Sequence, residues 1–274
     1  MGFSLSAHLF AREPLEEEHL GQAAAAGFRR LELWAMRPHL DYRSKRVVAG
    51  LASWLAKNGL SAPTLHLPFY AHLEEARAGR WLSLAHPDEG ERRRALEECR
   101  RALVALTPLG PWVAILHPSR PRSSDDRVAL RESLESLLPL TEGLGVRLAL
   151  ENIPAPGGDT ASVAEVIREV GAPGLGACLD AGHAHLTDDP VEGLGRVAPF
   201  LLATHLHDND GREDAHLVPG GGRIPWGRFR EALSLSGYRG PLTVETRRMP
   251  SEDYEKALAR AWASRRHLGE GAEP

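Results

Sequence analysis

Lysine is nearly missing from this chain. Only Lys45, Lys57 and Lys256 occur among 33 basic residues, the rest being arginine. None of the three ends an apolar run, so no desolvated lysine is placed for Schiff-base chemistry. Cysteine is scarcer still. Cys99 and Cys178 are the only two, far apart in sequence, and they imply no disulfide framework; a reducing cytoplasm is the expected compartment. No stretch approaches the ~18 consecutive apolar residues of a membrane span, and no charged-then-apolar leader opens the chain, so no membrane partner is expected. A glycine-rich phosphate loop after the first strand is lacking, which argues against a nicotinamide enzyme, and no Gly-x-Ser-x-Gly elbow marks a serine hydrolase. A formal charge of −4 and a pI near 6.4 give no overall basic field for nucleic acid, although a local basic face fits within a neutral total.

What the 274 residues do contain is a repeated alternation of short apolar runs with longer helical patterns. Eight such units can be counted. Strands are expected over 3–8, 29–34, 63–67, 112–117, 146–152, 175–180, 200–207 and 241–245. The helices that follow are expected over 15–26, 44–58, 88–106, 125–144, 160–170, 190–197, 226–236 and 251–268. Gly27, Gly59, Gly145 and Gly171 stand just past four of these helices, where a residue without Cβ takes the left-handed conformation cheaply. Eight strand-helix repeats predict an α/β fold, a single (β/α)8 TIM barrel over 1–268 with a short tail over 269–274. A doubly wound open sheet is the structural alternative.

In such a barrel the carboxyl ends of the strands and the loops after them build the active site. Here those positions carry His66, His117, Glu151, Asp180, His183, His205 and Glu245, and the loop after the seventh strand adds Asp214 and His216. Imidazole and carboxylate groups are ligands for borderline or hard divalent ions. Any one of them alone reads as an ordinary hydrogen-bonded or solvated group. Together they occupy every strand end from the third to the eighth on one face, and carboxylates so crowded would repel without cations. Nine ligands exceed the four to six that one ion usually takes, so two or three divalent ions, zinc or manganese, are expected.

The runs Leu65-His66-Leu67-Pro68-Phe69, Leu116-His117-Pro118, Glu151-Asn152-Ile153-Pro154, Leu179-Asp180-Ala181-Gly182-His183-Ala184, His205-Leu206-His207-Asp208-Asn209 and Pro219-Gly220-Gly221-Gly222 resemble the xylose isomerase-like barrel superfamily. That superfamily includes sugar isomerases and epimerases and the endonuclease IV type of abasic-site nuclease. For the epimerase branch the resemblance implies one manganese-like ion on Glu151, Asp180, His205 and Glu245, with Glu151 and Glu245 as the catalytic pair that moves a proton at carbon. For the endonuclease IV branch it implies three zinc ions: His66 and His117 with Glu151; then Asp180, His205 and Glu245; then His183, Asp214 and His216.

Around these ligands Glu32, Phe69, Tyr70, His207 and Arg247 are candidate substrate contacts. Each also has a plainer reading: a salt bridge for Glu32, packing with Trp81 for the aromatic pair, a hydrogen bond to a ligand for His207, and a solvated rim for Arg247. Arg120 and Arg122 are further candidates for binding a phosphate. Asp208, Asn209 and Asp210 are expected to shape the loop that presents Asp214 and His216. His8, His19, His39, His72, His86, His185 and His267 have no partner in the pattern. Three functions follow. Residues 23–34 (AAAAGFRRLELW) and the lack of positive charge favour an isomerase or epimerase of a sugar or sugar phosphate, which is the leading expectation. The full ligand set favours an endonuclease IV-like phosphodiesterase acting on DNA. A non-catalytic metal-binding barrel stands behind both.

Overall fold

In a computed structural model that describes residues 2–118 and 127–269, eight parallel strands close into a barrel in chain order. They are β1 (Gly2–Ser6), β2 (Arg30–Trp34), β3 (Ser61–His66), β4 (Val113–Leu116), β5 (Arg147–Glu151), β6 (Leu175–Asp180), β7 (Leu201–Leu206) and β8 (Pro241–Val244). Closure is made by β1 against β8, with Gly2 opposite Pro241 and Leu5 opposite Val244. The helices are α1 (Glu17–Ala25), α2 (Lys45–Lys57), α3 (Leu73–Arg77), α4 (Glu89–Leu106), α5 (Arg127–Gly143), α6 (Thr160–Val170), α7 (Ala181–Thr187), α8 (Pro190–Val197), α9 (Trp226–Leu235) and α10 (Tyr254–Ala263). No helix among the described residues is long and apolar enough to cross a membrane. Arg120, Arg122 and residues 270–274 lie outside the described residues.

Strand geometry explains both the core and the site. Successive side chains on a strand point to opposite faces. One set, including Leu5, Leu31, Leu65, Leu116, Leu148 and Leu179, packs outward against the helices as the main core. The other set turns into the barrel, where Val113, Ile115, Ala149, Cys178 and Ala203 form a separate buried plug. Two residues further along, the inward positions become His117, Glu151, Asp180 and His205. The residues expected to be metal ligands therefore continue the rows that fill the barrel.

Three local departures from the expected elements matter. The first strand was expected to reach residue 8, but Ala7–Phe10 curl into a 3-10 turn whose N-cap, Ser6, accepts from the backbone N–H of His8 at 3.4 Å. This swings His8 over the mouth of the barrel. Asp180 caps α7 through the His183 N–H at 2.7 Å, so a helix too short to show a periodic pattern presents His183. A third short helix, α3, lies in the loop after β3.

Near the amino-terminal end of the barrel, between β1 and α10, an aromatic cluster packs outside the strands, with fully buried Phe28 5.5 Å from Phe3 and 5.1 Å from Trp262, between ring centroids. Phe28→Ala is expected to cost about 3–5 kcal/mol in urea unfolding. Its divalent-ion affinity should match that of the parent, because the cavity opens at the opposite end of the barrel. An unfolding midpoint unchanged by the substitution would contradict this account of the cluster.

Candidate metal centre

At the carboxyl end of the barrel Glu151, Asp180, His205 and Glu245 offer donor atoms that all lie within 4.8 Å of one another. All four are buried. His205 Nδ1 sits in their midst, 3.1 Å from Glu151 Oε1, 3.1 Å from Glu245 Oε2 and 3.9 Å from Asp180 Oδ2. Among the described residues it has no hydrogen-bond partner although it is buried. An unpartnered buried nitrogen facing three carboxylates suits a divalent cation, which would satisfy it and relieve the repulsion.

Two groups flank this centre. On one side His66 Nε2 lies 3.1 Å and His117 Nε2 3.5 Å from Glu151 Oε2. His66 Nδ1 faces the Leu67 carbonyl at 2.9 Å and donates there, while Nε2 is hydrogen-bonded to Glu151 Oε2; in the neutral ring the lone pair would lie on Nε2, facing the centre. On the other side His183, His207, Asp214 and His216 form a second set within 4.8 Å. His183 and His216 are oriented alike, donating from Nδ1 to the carbonyls of Asn152 at 3.0 Å and Glu245 at 3.1 Å. Asp214 Oδ1 is buried there without a hydrogen bond among the described residues.

The loop bearing Asp214 and His216 is organised by one carboxylate. Asp208 accepts from Trp226 Nε1 at 2.7 Å and from the backbone N–H groups of Gly220 at 3.0 Å and Ile224 at 3.1 Å. A Cβ at Gly222 would fall 2.3 Å from the Asn209 carbonyl oxygen, which explains glycine at that point of close approach. His216 has φ 45°, a left-handed conformation rare for a residue with a side chain. Its carbonyl accepts from Thr246 Oγ1 at 2.8 Å and from the Arg247 N–H at 3.2 Å, and these bonds hold it there.

Without a cation the cluster carries protons instead. Burial opposes charge on His183 and His205, but Asp180 around the first, and the Cys178 sulfur with Glu32, Glu151 and Glu245 around the second, hold both imidazoles charged well above their ordinary range. Burial likewise opposes charge on Glu151, yet His205 and His117 keep it well below the usual carboxylate range. Glu245 goes the other way, raised first by burial. Neutral imidazoles and carboxylates are the forms that bind zinc or manganese, so the residues present fit a divalent ion.

The structure brings all nine expected ligands to one face. Above them a cavity of about 300 Å³ is lined on one side by Trp34, Phe69 and Trp81 and at its rim by Arg247. Phe69 stacks on His117 with centroids 4.3 Å apart. Arg247 is not a free rim cation: its guanidinium donates to the Asp214 carbonyl at 3.0 Å and lies 3.5 Å from the Asp214 carboxylate.

Three expected substrate contacts do not line this cavity. Tyr70 is buried behind Trp34 and Trp81. Glu32 is buried inside the barrel behind His205, with its carboxylate 3.0 Å from Nε2. His207 is fully buried, 3.0 Å from Asp180, and belongs to the second ligand set. One lining residue, His8, was expected to have no role. Its Nδ1 stands 3.4 Å from Glu245 Oε1, and its place in the inward row after Ser4 and Ser6 is the signal that locates it.

The family model of the xylose isomerase-like TIM barrel matches residues 20–265. Among curated relatives, the uncharacterized protein MJ1311 of Methanocaldococcus jannaschii is 28% identical over 179 residues, 61% of each chain, so this match spans less than two thirds of that relative. Fructoselysine 3-epimerase of Escherichia coli O157:H7 is 24% identical over 245 residues, covering 85% of this chain and 86% of the relative. Among solved structures, a D-tagatose 3-epimerase-like protein superposes with a TM-score of 0.80 at 22% identity, covering 100% of both chains. At that identity the likeness shows the fold.

Protons and cations compete for the same atoms, and the competition has a direction. Imidazoles held above their ordinary pKa contribute stability that is complete below about 6.5 and is lost as pH rises through the raised values. A divalent ion held by these residues would replace those protons and would bind more tightly over the same interval. The thermal midpoint of chelator-treated protein should therefore fall as pH rises above about 6.5, while manganese- or zinc-saturated protein resists that fall. Parallel pH profiles with and without ion would refute it.

Proposed function

Because the chain belongs to the xylose isomerase-like TIM barrel family, we propose that it is a divalent-metal-dependent isomerase or epimerase of a sugar or sugar phosphate. The observation that carries this reading is the pair of glutamates, Glu151 and Glu245, each 3.1 Å from the same nitrogen of His205 at the floor of the cavity. Zinc or manganese, when bound, supplies a Lewis acid that polarises the substrate carbonyl and acidifies the neighbouring C–H. One glutamate then takes the proton from that carbon and the other returns a proton, so that the carbon is inverted or the carbonyl moves. His66 steadies Glu151 through Oε2, and His8 faces Glu245 through Oε1. Trp34, Phe69 and Trp81 offer an apolar wall to the C–H face of a sugar and limit water. The relatives with a printed activity, epimerases of fructoselysine and D-psicose, support the same class. Two buried free thiols suit a reducing cytoplasm.

A second reading, an endonuclease IV-like phosphodiesterase acting on DNA, is favoured by the ligands beyond the central four, which provide for a second and a third ion. Two assays separate the readings. Incubation with ketoses and manganese or zinc in heavy water should place deuterium on the carbon beside the carbonyl. Absence of exchange with every sugar, together with efficient incision of an abasic-site duplex, would replace the isomerase by the hydrolase.

Under either chemistry Glu151→Gln should lower turnover by roughly 10²-fold or more, since that carboxylate holds the ion and moves or orients a proton. Full activity in this variant would refute the site. His216→Ala should reduce sugar exchange modestly but nearly abolish three-ion hydrolysis, and the measured ratio of the two losses distinguishes the mechanisms.

A further inference from the structure

Beneath the centre lies a buried carboxylate with no access to the cavity. Glu32 on β2 is fully buried, and its two oxygens are both engaged: Ser6 Oγ donates to Oε1 at 3.0 Å, and His205 Nε2 lies 3.0 Å from Oε2. A carboxylate in the interior of a barrel is costly unless paired, and a neutral side chain of similar size would fill the same volume without that cost. Its position therefore calls for a role. An ionised carboxylate only accepts hydrogen bonds, so the hydrogen bond at Nε2 places a proton on that nitrogen. The lone pair of neutral His205 must then be on Nδ1, the atom that faces Glu151 and Glu245.

We propose that Glu32 is a positioning residue of the metal centre: it fixes Nδ1 as the ligand atom of His205 and strengthens ion binding through that ring. The proposal rests on the reading that Glu151, Asp180, His205 and Glu245 hold a divalent ion. Ser6 extends the arrangement to β1, so a chain of hydrogen bonds from β1 through β2 to β7 crosses the barrel and stops the imidazole from turning. His66, stacked on His205 with centroids 5.6 Å apart, restrains the ring from the side. Carboxylate partners of ligating histidines orient the ring and raise its basicity, and losing one typically weakens binding by about 10–100-fold.

The test uses the full chain and zinc alone. Competition with a chromophoric chelator should show Glu32→Ala binding zinc about 10–100-fold more weakly than the parent, with Ser6→Ala weakened less. Glu98→Gln provides the control for general destabilisation: Glu98 on α4, outside the barrel, accepts from Tyr42 Oη at 2.5 Å, and its loss should leave zinc affinity unchanged. Nitrogen-15 spectra of the zinc-loaded parent should show the His205 ring proton on Nε2, slow to exchange with water. A proton on Nδ1 would overturn the proposal without any variant having to fold. Parent-like zinc affinity in folded Glu32→Ala would overturn it equally. A parent that binds no zinc at all would instead remove the metal-centre reading on which the proposal stands.

Discussion

The rest of this structure depends on a single electrostatic constraint. Glu151, Asp180, Glu245 and Asp214 converge at the mouth of the barrel, with Glu32 just beneath, in surroundings that exclude most water. Carboxylates at such separations cannot all be charged unless positive charge is placed among them. Imidazolium provides it in the absence of metal: His183 and His205 hold their protons because the acids around them demand it. A divalent ion does the same more compactly and leaves the imidazoles neutral, with their lone pairs engaged. One cluster thus offers the same atoms to protons and, on the reading proposed above, to a divalent ion.

The barrel creates this crowding through strand periodicity. On β4 the inward row runs Val113, Ile115 and then His117 just past the strand. On β5 it runs Ala149, Glu151, on β6 Cys178, Asp180, and on β7 Ala203, His205, His207. In each row apolar or small residues fill the plug and polar ones follow at the top. A ligand on such a row inherits the rigidity of the strand below it. The apolar plug closes the barrel beneath His205, and a low-dielectric floor strengthens the charge interactions above it.

The same periodicity explains what could be read from the sequence. Eight alternating units and polar residues at their ends follow from patterns two and about four residues long, which is why the fold, and the convergence of these nine side chains on one face, were legible. What escaped depends on distance in space. Glu32 reads as a strand residue that could pair with any arginine; only the closed barrel brings it to His205, 173 positions away. His8 looked like the end of a strand until the 3-10 turn at Ala7–Phe10 carried it to Glu245. Tyr70 follows Phe69 directly, yet a change of direction in the loop sends one ring to the cavity and the other into packing. The helix α7 is only seven residues long, too short for an amphipathic pattern to appear.

The outer ligand set need not imply hydrolysis. His207 touches Asp180 of the central set, and His216 donates to the carbonyl of Glu245, so two of the three outer histidines brace residues of the central four. Asp208 holds the same loop from below. A cation among His183, His207, Asp214 and His216 would clamp the loop after β7 onto the ends of β6 and β8. It would thereby fix Asp180 and Glu245, the very groups that a one-ion isomerase needs in place. On this physical ground a full complement of ligands is compatible with sugar chemistry. The number of ions alone does not choose the reaction.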